Sequence, residues 1–111
     1  MRLLLDTVTF LEAAASPEHL SRKAMSMLAR EDIVREISVV CLSEIAMKQS
    51  RGKLTFGKDV LARAIAALRL RVLPYTGEHA YGLFDLPMHH ADPFDRQIIA
   101  QALVEDSGRY F

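Results

Sequence analysis

Hydrophobic and polar positions change period several times along the chain, and each change marks an element. Arg2-Leu3-Leu4-Leu5 has three apolar side chains in a row without alternation, the pattern of a short strand buried on both faces. Thr7 to Ala15 predicts a helix with Phe10, Leu11 and Ala14 on one face. Ser16-Pro17-Glu18 predicts a second helix, with Ser16 as N-cap and Pro17 in the first position. That helix runs to about Arg30 and turns Leu20, Ala24, Met27 and Leu28 inward. The β-branched run Ile37-Ser38-Val39-Val40-Cys41 predicts a second strand, and Leu42 to Gln49 a helix that stops at Gly52.

Asp59 to Leu70 is the clearest amphipathic stretch, with Val60, Leu61, Ala64, Ile65 and Leu68 on its apolar face. Val72-Leu73-Pro74-Tyr75 predicts a third strand, which Pro74 places at an edge. Thr76 caps a short helix ending near Leu86-Pro87. Asp92-Pro93-Phe94-Asp95 opens the last helix, with Asp92 as N-cap and Phe94, Ile98, Ile99, Ala102 and Leu103 as its buried stripe. Strands separated by helical crossovers predict an α/β fold with a parallel sheet.

Length and charge narrow the classes. The chain has 111 residues, the size of one domain spanning 1–111. Its 14 basic and 14 acidic side chains cancel, which argues against a bulk electrostatic grip on nucleic acid and leaves room for a local basic patch. The single cysteine, Cys41, excludes an internal disulfide and fits a reducing cytoplasm. No apolar run is long enough to span a bilayer, and Asp6 interrupts Leu3-Leu4-Leu5 too early for a signal-peptide core.

Three acids sit where α/β proteins mount chemistry. Asp6 ends the first strand, Glu44 follows the second, and Asp95 lies in the first turn of the last helix. The carboxyl ends of parallel strands open onto one crevice, so these acids are expected to converge. Clustered carboxylates repel unless a hard cation neutralises them, and Mg²⁺ takes oxygen ligands while keeping several waters. Each acid also has a purely structural reading, Asp6 as cap of the first helix and Asp95 as a charge favoured at a helix start.

Particular motifs sharpen this. Leu3-Leu4-Leu5-Asp6-Thr7, Ser38 through Lys48, and Gly52-Lys53-Leu54 resemble the first two motifs of PIN-domain proteins of the VapC toxin type. Leu73 through Ala80 and Leu86 through Arg96 resemble the later ones, most specifically His90-Ala91-Asp92-Pro93-Phe94-Asp95-Arg96. The resemblance implies a PIN-like three-layer α/β/α sandwich with a short parallel sheet. It also implies a metal-dependent endoribonuclease, the toxin of a toxin–antitoxin pair, restrained by a cognate antitoxin. By motif position Asp6, Glu44 and Asp95 inherit the catalytic and metal roles, with Mg²⁺ or Mn²⁺ as cofactor and RNA as substrate. Thr7, Lys48 and Arg96 are the candidates for touching the substrate phosphate. A cytoplasmic homodimer with no membrane association is expected, and the surplus of apolar residues in Ser16–Arg30 and Asp59–Leu70 agrees with covered helix faces.

Two departures from the family pattern matter. Ser43 stands where a large residue usually precedes the Glu, and the final strand with its Thr-x-Asp motif has no counterpart. The fourth strand of the fold is therefore expected to be missing, leaving Leu3–Leu5 as an exposed edge and the nuclease weakened or inactive. Asp106 is a fourth metal ligand only if it is the remnant of that last motif after an internal deletion; the alternative is an unrelated tail. The alternative is a catalytically impaired PIN-like interaction domain. His79, His89 and His90 cluster in sequence, but no cysteine or fixed spacing completes a zinc set; they read as loop and helix-surface histidines, which the resemblance places near the active-site rim. A phosphate-receiving signalling domain expects an acid pair after the first strand and an acid after the third; Leu5-Asp6-Thr7 and Val72–Tyr75 supply neither.

Overall fold

Strand β1 (Arg2–Leu5) lies inside the sheet, and its three leucines are each 0% exposed. Successive strand residues face opposite sides, so full burial of Leu3, Leu4 and Leu5 requires covering layers on both faces. Each such leucine contributes about 2 kcal/mol of hydrophobic stabilisation. The computed structural model describes residues 1–87, 92–105 and 109–110.

After β1 come α1 (Thr7–Ala15), a 3₁₀ turn at Pro17–His19, and α2 (Arg22–Ala29). They lead to β2 (Val34–Ser38), α3 (Val39–Ser50), α4 (Lys58–Ala67) and β3 (Arg71–Leu73). Then follow α5 (Gly77–Gly82), a 3₁₀ turn at Leu83–Asp85, α6 (Pro93–Val104) and β4 (Arg109–Tyr110). The sheet order is β3-β2-β1-β4, parallel at every pair, with Leu5 aligned to Ile37 and Leu3 to Arg109. This is the α/β architecture with a short parallel sheet that the sequence predicts, with β3 at an edge.

Several expectations are corrected. The fourth strand is present: β4 pairs with β1, which is an interior strand and not an exposed edge. Two residues are too few to register as a hydrophobic pattern. The second strand ends at Ser38, and Val39-Val40-Cys41 opens α3 instead of completing the strand. Ser38 decides this, because its hydroxyl accepts from the Val40 N–H at 3.0 Å and starts the helix. The segment from Ser16 to Arg30 is broken in two: Ser16 makes no side-chain cap, Leu20 is extended, and Ser21 caps α2 through the Ala24 N–H at 3.0 Å. Val60 and Leu103, expected inward, are 42% and 68% exposed, whereas Gln101 is fully buried and donates to the Pro74 carbonyl at 2.9 Å.

A charged cluster unforeseen from the sequence crosses the amino end of the sheet. Glu36 is fully buried in β2 and receives Arg2 through Nε at 2.9 Å and Nη2 at 3.0 Å, and Arg71 through Nε at 3.1 Å and Nη2 at 2.6 Å. Arg2 also donates to the carbonyl and carboxylate of Glu105, tying β1 to the end of α6. His79 belongs to this cluster and not to the rim of a cleft. Its Nδ1 accepts from the Thr76 N–H at 2.9 Å, so its proton sits on Nε2 and is donated to Glu105 at 2.7 Å.

Candidate active site

At the opposite, carboxyl end of the strands, local caps place the acids. Asp6 follows β1 in extended conformation and caps α1, one carboxylate oxygen accepting from the Thr9 N–H at 2.8 Å. Asp92 caps α6, accepting from the N–H groups of Phe94 at 2.8 Å and Asp95 at 3.2 Å. Asp95 lies in the first turn of that helix, where the positive end of the dipole favours a carboxylate. Glu44 projects from α3, two turns past the Ser38 cap. These elements bring Asp6, Thr7, Glu44, Lys48, Asp92 and Asp95 around one cleft of about 300 Å³, with Val8 and Ile98 as apolar wall.

Glu44 is the most constrained of the acids. It is 6% exposed, and both oxygens are engaged: Oε1 accepts from the Thr7 hydroxyl at 2.6 Å, Oε2 from the Lys48 ammonium at 2.5 Å. The hydrogen bond to Glu44 holds the Lys48 ammonium above its ordinary pKa, with a smaller attraction from Asp92. Cys41 lies beneath this floor, fully buried, its thiol directed to the Leu5 carbonyl, and burial pushes its pKa up to about 11. It is a packing residue.

The cleft thus brings together Asp6, Glu44 and Asp95, the acids singled out in the sequence, along with Thr7 and Lys48. Thr7 is buried, and its hydroxyl serves Glu44. Arg96 is not among the lining residues; it donates to the Pro87 carbonyl at 3.0 Å. Asp106, His89 and His90 lie outside the described residues. Asp92, which the sequence reading assigns only to capping, also lines the cleft; its spacing of three from Asp95 puts both carboxylates at one helix end. A larger hollow of about 530 Å³ elsewhere has a single acid, Glu31, in its lining.

Among the described residues, no three His, Cys, Asp or Glu side chains form a ready metal cage. The donor chemistry nonetheless fits a hydrated hard cation, since every acid here offers carboxylate oxygen and Mg²⁺ needs only one or two carboxylates.

A parallel α/β sheet with a carboxylate-lined cleft at its strand ends defines a class of acid-site α/β proteins. The PIN-domain family profile matches residues 3–108, and the chain belongs to that family. Among solved structures, the crystal structure of VapBC2 from Rickettsia felis bound to a DNA fragment from their promoter contains a chain of the same fold. The TM-score is 0.71 at 16% identity, over 96% of this chain and 84% of that one. No curated protein matches the sequence significantly. Family membership and shared fold agree with the PIN-domain reading drawn from the motifs.

Proposed function

We propose that this chain is the toxin ribonuclease of a toxin–antitoxin pair, cleaving RNA phosphodiesters with a divalent cation, Mg²⁺ or Mn²⁺. The observation that carries the reading is the convergence of Asp6, Glu44, Asp92 and Asp95 on one cleft within a PIN fold. Asp6, Glu44 and Asp95 would hold the cation. When bound, such an ion polarises a phosphodiester and lowers the pKa of a water that attacks it. The chain's own groups prepare the site. Thr7 fixes the Glu44 rotamer, the start of α6 stabilises the charge on Asp92 and Asp95, and Lys48 supplies a cation suited to a phosphate oxygen.

The antitoxin partner is proposed from the likeness to the VapBC2 structure. Exposed Tyr81, Phe84 and Leu103, 73%, 86% and 68% accessible, provide apolar surface of the kind that partners cover, in line with a homodimer as well. Among the described residues no helix is long and apolar enough to cross a membrane, and a cytoplasmic location belongs to the same proposal. A second reading, an impaired interaction domain, is favoured by one observation: Glu44 already has both oxygens occupied.

The test is cleavage of single-stranded RNA by the purified protein with Mg²⁺ and with EDTA. Cleavage that needs the metal and disappears in Glu44→Gln is expected. Metal-independent cleavage, or none in the presence of a correctly folded protein, would contradict the nuclease reading.

A further inference from the structure

The cleft gathers four carboxylates around a single ammonium, and that ammonium stands on the most buried of them. Among the described residues two donors hold Glu44, and one of them, the Thr7 hydroxyl, belongs to a buried residue at the start of α1. The other is Lys48. It sits one turn along the same helix, its side chain is 45% exposed, and a flexible stem leads its head group to solvent. A dication entering at Glu44 must take the place of this monocation, and the excess of acids favours that exchange. We infer that Lys48 is the resting occupant of the cation position, standing on Glu44 until a divalent ion displaces it and frees its ammonium for the substrate phosphate. The inference rests on the metal-site reading above and gives Lys48 a positioning role: it offsets part of the charge of the acid cluster and keeps Glu44 in place until a divalent ion binds. Asp92, whose charge also acts on Lys48, keeps the displaced ammonium near the cleft.

Titration calorimetry with MnCl₂ on wild type, Lys48→Gln and Lys48→Arg tests this without recourse to activity. Removing the competitor is expected to tighten Mn²⁺ binding about tenfold in Lys48→Gln, the equivalent of one charge-assisted hydrogen bond at its lower bound. Lys48→Arg, which keeps the charge, should stay near wild type. A second measurement needs no variant: in the wild-type protein the Lys48 side-chain NMR resonances should shift on adding Mg²⁺, while those of Lys53 and Lys58 do not. Mn²⁺ binding confined to Lys48→Gln would mean that the ammonium blocks the site and is not displaced, which would overturn the exchange. Binding in wild type that is unchanged or weaker in Lys48→Gln, or Lys48 resonances that ignore Mg²⁺ at saturation, would overturn the inference and leave the metal site standing. No binding in any form would overturn both.

Discussion

Replacing Glu36 by Gln probes the most heavily committed charge in the molecule. The carboxylate is fully buried and accepts from two guanidinium groups, so the amide would present an N–H group to donors that have no use for it. Removing one partner of a buried ion pair costs about 3–5 kcal/mol. Two features of this site lower the figure. The Arg71 side chain is 60% exposed, so its share resembles a surface pair worth about 0.2–1 kcal/mol. Arg2 retains Glu105 at 3.0 Å and is not stranded. A loss of about 3 kcal/mol is therefore expected, from the low end of the buried-pair range. For a domain of this size that corresponds to a fall in Tm of about 12 °C. Urea unfolding at pH 7 gives the free energy, and a thermal scan gives the midpoint. A loss below about 1 kcal/mol, the level of a surface pair, would refute the argument, because the arginines would then be relaxing into water without penalty.

Two further outcomes follow from the same physics. The hydrogen bond from His79, and then that from Arg2, hold the Glu105 carboxyl below its ordinary value of 4.5. A depressed carboxyl stabilises the fold above its unfolded pKa, and that contribution is lost as pH falls below about 4.5, so Glu105→Gln should flatten the decline in urea stability between pH 6 and pH 3. An unchanged slope would contradict the assignment. Cys41, its pKa pushed up to about 11 by burial, should resist alkylation in the native protein at pH 8 and react once urea unfolds it; rapid native labelling would show that the floor of the cleft opens.

Much of the framework was legible because local chemistry and burial agreed. The leucine run of β1, the Asp6 cap before α1, and Asp92-Pro93 before α6 each combine a composition signal with a stereochemical one. The second strand reads too long in the sequence because Val39, Val40 and Cys41 are β-branched or apolar, as strand residues are; the Ser38 hydroxyl tips them into helix. Ser16-Pro17 has the letters of a helix start but yields a 3₁₀ turn, since the chain straightens at Leu20 and restarts at Ser21. Asp6, Glu44 and Asp95 stand out in the sequence by their positions at element ends, whereas Asp92 reads there only as a cap. The Arg2–Glu36–Arg71 cluster was not, because its contacts depend on strand register between residues more than thirty apart, which no local pattern encodes. His79 and Gln101 escaped for the same reason: polar residues buried by tertiary partners look like surface residues in sequence.

The central claim is that the cleft at the carboxyl end of the sheet holds a divalent cation between Asp6, Glu44 and Asp95. An anomalous difference map from crystals soaked in MnCl₂ tests it most directly. The account predicts a peak in this cleft, within bonding distance of oxygens from at least two of these acids, and its loss in Asp95→Asn crystals of unchanged fold. A saturated soak with no peak in the cleft, or with manganese bound only at other surface acids, would contradict it.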